Sequence, residues 1–106
     1  MSDFNQGFPK IRRMNDEDLP RVVKLCHELG YLKADLKGVT ENFRLGKTLE
    51  SHEYYALVES EFVIAFMTLI LRVRLEAPPF LQIGTLVVDR KFRGQGLGRM
   101  FLAFAE

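Results

Sequence analysis

The sequence has few of the residues that build covalent or metal-held frameworks. Its 106 residues include one cysteine, Cys26, two histidines and no tryptophan. A single cysteine cannot close an internal disulfide, and the cysteine and histidines do not have the spacing of a metal site. The sequence therefore predicts a reduced, cytoplasmic protein without a bound metal, in which Cys26 is a core residue.

Long apolar segments and an excess of one charge are also missing. The longest apolar run, residues 62–71, is too short for a membrane-spanning helix, and the N-terminus lacks the pattern of a signal peptide. A net charge of +1 disfavours a general nucleic-acid-binding protein. With 47% apolar and 27% charged residues, the composition is typical of a globular protein. Residues 1–106 are therefore predicted to form a single domain.

The first third of the chain predicts a short strand and an amphipathic helix. Residues 8–14 resemble an edge strand, and residues 15–18 supply cap candidates and the negative charge that suits the first turn of a helix. Apolar residues then follow at helical spacing as far as Gly30, a common helix terminator. The predicted buried face consists of Leu19, Val22, Val23, Cys26 and Leu29.

A second helical pattern follows a predicted loop at residues 31–38. Thr40 is the candidate N-terminal cap, and the helix is expected to continue to about Glu50. Its apolar positions are Phe43, Leu45 and Leu49.

Three strands are predicted in the second half of the chain. The first covers residues 53–59, and a tight turn separates it from a long second strand over residues 62–75. Two consecutive prolines at residues 78–79 force a loop. Residues 80–88 are apolar at nearly every position, which predicts a central strand covered on both faces.

A glycine-rich basic segment, residues 90–99, stands between the last predicted strand and a final helix. It reads Arg-Lys-Phe-Arg-Gly-Gln-Gly-Leu-Gly-Arg. Backbone N–H groups and positive charge thus converge at one point, as they do in phosphate sites. The apolar positions of the final helix are Leu97, Met100, Phe101 and Phe104. The element order is therefore β-α-α-β-β-β-α, an α/β or α+β layer on a largely antiparallel meander.

Two other phosphate motifs do not match this segment. A nucleotide P-loop needs a lysine followed by serine or threonine after its glycines, and this chain has neither pair there. The dinucleotide motif Gly-x-Gly-x-x-Gly fits Gly94 and Gly96, but its third position is Arg99. A solvated basic turn without a ligand is the remaining alternative.

The spacing Arg93-x-x-Gly96-x-Gly98 after a buried strand resembles the acetyl-CoA-binding motif of the GNAT superfamily of N-acetyltransferases, whose form is Gln/Arg-x-x-Gly-x-Gly/Ala. Four other segments also resemble members of this superfamily: residues 11–14, 16–20, 28–31 and 78–79. The resemblance implies a GNAT-like acyl-CoA N-acyltransferase layer. It also implies transfer of an acetyl group from acetyl-CoA to a primary amine of a small molecule or protein.

The resemblance further implies which residues hold acetyl-CoA. The strand before the motif would pair its backbone with the pantetheine arm, and the glycine-rich turn would hold the diphosphate. The cofactor-binding candidates are Leu86, Val87, Val88, Arg93, Gly94, Gln95, Gly96, Gly98 and Arg99.

Two departures from the superfamily concern catalysis. Many members carry a glutamate where this chain has Gly84, and the tyrosine that often acts as general acid lies on a helix later than Glu106. No catalytic residue is therefore assigned. Candidate substitutes for the missing glutamate are Glu53, Tyr54, Tyr55 and Glu76.

The resemblance to the GNAT superfamily also implies that residues 1–106 are a truncated domain, which lacks the C-terminal strands and helix of the full fold. A homodimer partner or another chain would then complete it, and the last helix would expose Met100, Phe101 and Phe104. Two alternatives to the enzyme remain open: a non-catalytic CoA-binding or assembly module, and an incomplete fragment without independent function.

Overall fold

The computed structural model describes residues 10–105 as a four-stranded antiparallel sheet with three α-helices. The strands lie in chain order, each antiparallel to the next. The mixed α+β fold class and the element order predicted from the sequence are confirmed. The elements are β1 (Lys10–Arg13), α1 (Leu19–Leu29), α2 (Leu36–Lys47), β2 (His52–Glu59), β3 (Phe62–Arg72), β4 (Phe80–Val88) and α3 (Leu97–Ala105).

The two faces of the sheet are covered by different helices. α1 and α2 pack on one face, where Leu25, Phe43 and Phe66 are buried in one cluster. α3 packs on the opposite face, where Phe101 is fully buried in a cluster with Leu57. Each helix thus buries one apolar stripe against the sheet, which is the usual way a layered α+β fold forms its core.

The prediction that α3 would expose its apolar residues is wrong for Phe101. That ring lies against the sheet, whereas Met100 and Phe104 are exposed as expected. The strands present an apolar face to α3, and the side of the helix that faces the sheet is buried.

The first predicted helix is confirmed, but its buried face is shifted. Asn15 caps a short 3-10 turn, Asp16–Asp18, which leads into α1. The buried positions of α1 include Leu25, which was not predicted, while Leu29 is 47% exposed. Helical spacing does not reveal where the partner surface ends, and the last turn of α1 extends beyond the core.

The start of α2 differs from its prediction. The Asp35 side chain accepts a hydrogen bond from the Gly38 amide at 2.8 Å, so the helix begins at Leu36 rather than after Thr40. Aspartate is a stronger N-cap than threonine, and the earlier cap therefore sets the boundary. Of the predicted apolar positions only Phe43 is buried, and Leu45 and Leu49 are exposed.

The hairpin between β2 and β3 is confirmed. Its two turn residues, Ser60 and Glu61, both have positive φ, the conformation of a type I′ turn. β3 ends at Arg72, three residues earlier than predicted, because its pairing with β4 ends there. The predicted first strand is also confirmed at the edge of the sheet over Lys10–Arg13, while its residues 8–9 lie outside the described part.

The prediction of a central position for β4 is wrong. Within residues 10–105, β4 is the edge strand of the sheet, and its first three residues are exposed. Its apolar composition reflects the helices that cover its second half rather than a strand neighbour on each side.

Candidate functional site

The end of β4 presents an open backbone edge. The Asp89 amide donates to the Ile64 carbonyl at 2.7 Å, which continues the antiparallel pairing of β3 with β4. Along an antiparallel strand, the N–H and C=O groups of one residue bond to the partner strand, and those of the next residue point away from it. Leu86 and Val88 therefore turn their N–H and C=O groups to the free edge. Val87 directs its groups to β3 and buries its side chain.

Asp89 ends the strand and is a buried charge. One carboxylate oxygen accepts the Lys91 amide at 2.8 Å and caps a 3-10 turn, Arg90–Phe92. The other oxygen pairs with the guanidinium of Arg21 from α1. Arg21 also donates its Nε–H to the Val63 carbonyl at 2.8 Å. This ion pair joins α1, β3 and the start of the glycine-rich segment.

Two further contacts hold the same turn. The Arg90 amide donates to Glu28 Oε1 of α1 at 3.0 Å, and Arg93 Nε donates to the Val88 carbonyl at 2.9 Å. Sequence reasoning missed Arg21 and Glu28, which lie 68 and 62 residues from their partners. A local sequence pattern does not indicate a contact between residues so far apart in the chain.

The environment of Asp89 favours its charged form. Burial alone would raise its pKa, but the Lys91 amide and the Arg21 guanidinium more than offset this, so the pKa lies below the ordinary 3.8. Asp18 behaves in the same way. Burial opposes its ionisation, while two 2.8 Å hydrogen bonds from Arg12 and one from the Asn15 amide lower its pKa.

From the lowered pKa values of these two carboxyl groups we predict that the chain loses stability in acid. The pKa values of both carboxyl groups are lowered in the folded chain. Their contribution to the free energy of unfolding is therefore fully present above pH 3.8 and is lost as the pH falls through the pKa values of the folded chain. We expect the free energy of unfolding, measured in urea at pH 7, 5, 4 and 3, to fall most steeply below pH 4. An Asp18→Asn variant should show a shallower fall, and a chain whose stability rises on acidification would contradict the prediction.

The glycine-rich turn depends on two left-handed backbone conformations. Gly94 has φ of +83° and Gly96 has φ of +80°. A Cβ at either position would meet nothing within 4 Å, so it is the backbone angle rather than crowding that favours glycine. The Met100 amide donates to the Gly96 carbonyl at 3.1 Å, which is the first hydrogen bond of α3. The amides of residues 97–99 precede that bond and have no acceptor within the helix.

Basic residues are concentrated in the same segment as these amides. The only acid between residues 77 and 105 is Asp89, whose charge is paired with Arg21. Gln95 is exposed in the turn, and Gly98 lies on the first turn of α3, where a Cβ would lie 4.0 Å from Cδ2 of Leu86. The exposed cations of the segment are Arg90, Lys91, Arg93 and Arg99. Unbonded amides, the positive end of a helix dipole and several cations together form a site suited to an anion.

Gly84 occupies a bulge in β4. Thr85 pairs with Thr68 and Ile83 pairs with Leu69, so Gly84 is the extra residue on its strand. A Cβ there would lie 2.8 Å from Cδ1 of Ile70. A side chain at this position would require the end of the Ile70 side chain to move, and glycine supplies no carboxylate where many relatives are expected to carry a glutamate.

Three of the candidate proton-transfer residues are consecutive on β2, and the fourth lies in the loop between β3 and β4. Glu53 accepts hydrogen bonds from the Tyr55 hydroxyl at 2.8 Å and from Arg13 at 3.1 Å. Tyr54 lies on the α1–α2 face, where burial raises the pKa of its hydroxyl. Glu76 is exposed in the loop between β3 and β4. These four residues do not form one cluster with the glycine-rich turn.

Over residues 10–105, none of the helices has the length and apolarity needed to cross a membrane. The same part of the chain holds no group of three or more histidine, cysteine, aspartate or glutamate side chains placed to bind a metal ion.

Solved structures share this fold. A GNAT family acetyltransferase from Staphylococcus aureus is 19% identical, with a TM-score of 0.79 over 92% of this chain and 74% of its own. Glucosamine-6-phosphate N-acetyltransferase from Arabidopsis thaliana is 20% identical, with a TM-score of 0.79 over 92% and 71%. An aminoglycoside acetyltransferase from an uncultured soil metagenomic sample, in complex with sisomicin, is 19% identical, with a TM-score of 0.71 over 92% and 66%. A search of curated proteins found no significant match.

The sequence itself matches a family model over most of its length. The model describes the acetyltransferase (GNAT) family and covers residues 13–106, which include all four strands in part or whole, the glycine-rich turn and α3. The expected resemblance and the GNAT-like fold are thereby confirmed, and with them acyl transfer as the general chemistry of the family. This chain belongs to the acetyltransferase (GNAT) family.

Proposed function

We propose that this chain binds acetyl-CoA at the end of β4 and transfers its acetyl group to a primary amine. The observation that carries the proposal is the adjacency of two features, the free backbone edge at Leu86 and Val88 and the cationic, amide-rich turn that follows. An elongated ligand that carries amides followed by a diphosphate would place its amides along the strand edge and its diphosphate against the turn. Residues 1–106 would belong to one domain of this type.

The two features suit different parts of acetyl-CoA. The amides of the pantetheine arm would pair with the outward N–H and C=O groups of Leu86 and with the N–H of Val88, as a peptide strand adds to a sheet edge. The diphosphate would lie against the amides of residues 94–99, with Arg99 contributing full positive charge. Arg93 would act partly through its bond to the Val88 carbonyl, which fixes the turn against the strand.

Acetyl-CoA supplies a thioester carbonyl that a neutral amine attacks while the CoA thiol leaves. The chain's part is to hold the thioester beside β4, shield it from water and receive the amine on the α1–α2 face. No proton donor is assigned on that face, because burial raises the pKa of the Tyr54 hydroxyl and that hydroxyl packs against Gly46 of α2.

A calorimetric titration of the chain with acetyl-CoA tests the binding step. We expect saturable binding, and no heat of binding at millimolar acetyl-CoA would overturn the proposal for this chain. Mass spectrometry of a panel of primary amines incubated with chain and acetyl-CoA tests transfer, with chain-free mixtures as the control for spontaneous acetylation.

A non-catalytic CoA-binding module is the second candidate. It is favoured by Gly84, which supplies no carboxylate where many members of the superfamily are expected to carry a glutamate. Binding of acetyl-CoA without acetylation of any amine in the panel would select the module over the enzyme.

A further inference from the structure

A pocket of about 280 Å³ lies on the face of the sheet opposite α3, between α1, α2 and strands β2 to β4. Tyr31 and Asn42 are the exposed residues at its rim. Its volume is near the lower end of the usual range for small-ligand sites, about 300–1,000 Å³. Its lining consists of Met14, Leu19, Val22, Cys26, Tyr31, Val39, Asn42, Phe43, Tyr54, Phe66, Thr68 and Thr85.

The pocket reaches the strand that the acetyl donor would occupy. Thr85 of β4 lines the pocket, and the next residue, Leu86, turns its backbone to the free edge. One residue of a strand spans about 3.4 Å. A group held in the pocket would therefore lie beside a thioester held along that edge.

None of the described residues in the lining carries a charge at neutral pH. The two that could ionise near the base of the pocket, Cys26 and Tyr54, both have pKa values raised by burial and stay neutral. Packing fixes the Tyr54 ring, because its centroid lies 5.3 Å from that of Phe43 and its hydroxyl abuts the backbone of Gly46. The charged side chains of Arg13, Lys47 and Glu53 line a separate pocket, which shares three lining residues with this one.

From this lining we infer that the acceptor is a primary amine carrying one compact, uncharged apolar group, such as an aromatic ring or a branched alkyl chain. The inference rests on the proposed function and narrows its substrate class. A polyamine or aminoglycoside brings several cations, and here they would be desolvated without a carboxylate partner. A sugar phosphate brings an anion, and the described lining holds neither lysine nor arginine to pair with it.

The chain's only cysteine allows a test that does not depend on acetyl transfer. Cys26 lines the pocket, so its rate of reaction with methyl methanethiosulfonate, followed by mass spectrometry, reports occupancy. We expect 2-phenylethylamine to slow the reaction at least threefold at saturation. Spermidine and glucosamine 6-phosphate should have little effect. Acetyl-CoA alone serves as the reference for protection by the bound cofactor, through shielding of the pocket or through stabilisation of the fold.

Protection by 2-phenylethylamine that is no greater than protection by spermidine would overturn the inference. The calorimetric titration with acetyl-CoA reports separately on the proposed function, so the two failures are distinguishable. Asn42→Asp is an isosteric change that adds a negative charge at the exposed rim. It should raise the protection by spermidine, relative to that by 2-phenylethylamine, about threefold. Leu45→Asp adds the same charge to α2 at an exposed position outside the pocket lining and should leave the ranking unchanged.

Discussion

Replacing Gly96 with aspartate is expected to weaken acetyl-CoA binding by about 100-fold or more. The variant places a carboxylate in the middle of the amides that would hold the diphosphate, and like charges at close range cost several kcal/mol. Each tenfold loss of affinity corresponds to about 1.4 kcal/mol. The side chain has room, since a Cβ at Gly96 meets nothing within 4 Å, so the fold should survive. Calorimetric titration of variant and parent chain measures the change directly.

Gly30 provides a matched control for this experiment. It also has positive φ, +113°, and open space beside it, but it ends α1 rather than starting α3. A non-glycine residue at either position costs about 1–3 kcal/mol in backbone strain. Gly30→Asp should therefore lose similar stability and keep its affinity for acetyl-CoA. Equal affinity losses in the two variants would show that strain, not the diphosphate site, explains the effect, and unchanged binding in Gly96→Asp would place the site elsewhere.

Replacing Arg21 with methionine is expected to destabilise the chain by about 3–5 kcal/mol. Asp89 would keep its bond from the Lys91 amide but would lose its ionic partner in a largely buried environment. The variant also leaves the Val63 carbonyl without the Arg21 donor. Because the pair fastens α1 to the turn that precedes the glycines, we expect acetyl-CoA affinity to fall as well. Urea unfolding and calorimetric titration measure the two effects.

Two further variants distinguish the effect of breaking the buried Arg21–Asp89 pair from the effect of losing any one charge. Arg44 forms an exposed pair with Asp16 at 3.8 Å, and Arg44→Met should cost less than about 1 kcal/mol. The double variant Arg21→Met/Asp89→Leu removes both buried charges. It should be less destabilised than the sum of the single variants, since neither charge is left unpaired. A cost for Arg21→Met as small as that for Arg44→Met would contradict the anchoring role of the pair.

Local features of the fold were predictable because they depend on neighbours in the chain. Gly30 ends α1, the two-residue turn after β2 forms a hairpin, and α3 follows the glycine-rich turn, all as the sequence predicts. The start of α2 was missed by five residues, since two residues compete as caps and aspartate prevails over threonine.

Features that depend on distant partners were not predictable. The apolar run of β4 indicated a central strand, but a strand covered by helices on its faces has the same composition as one with two strand neighbours. Predicting the burial of Phe101 would have required the position of the sheet, and predicting the Gly84 bulge would have required the register of β4 against β3.

The sequence alone determined the family and the candidate diphosphate turn, because a run of glycines and arginines between a strand and a helix carries its chemistry in consecutive residues. Only the tertiary structure decided which backbone groups of β4 face the free edge. It also decided that Arg21 and Glu28 hold the turn and that an uncharged pocket lies beside Thr85. Those properties arise from register and packing between segments far apart in the chain, where hydrophobic burial and buried charge pairing, not local spacing, choose the arrangement.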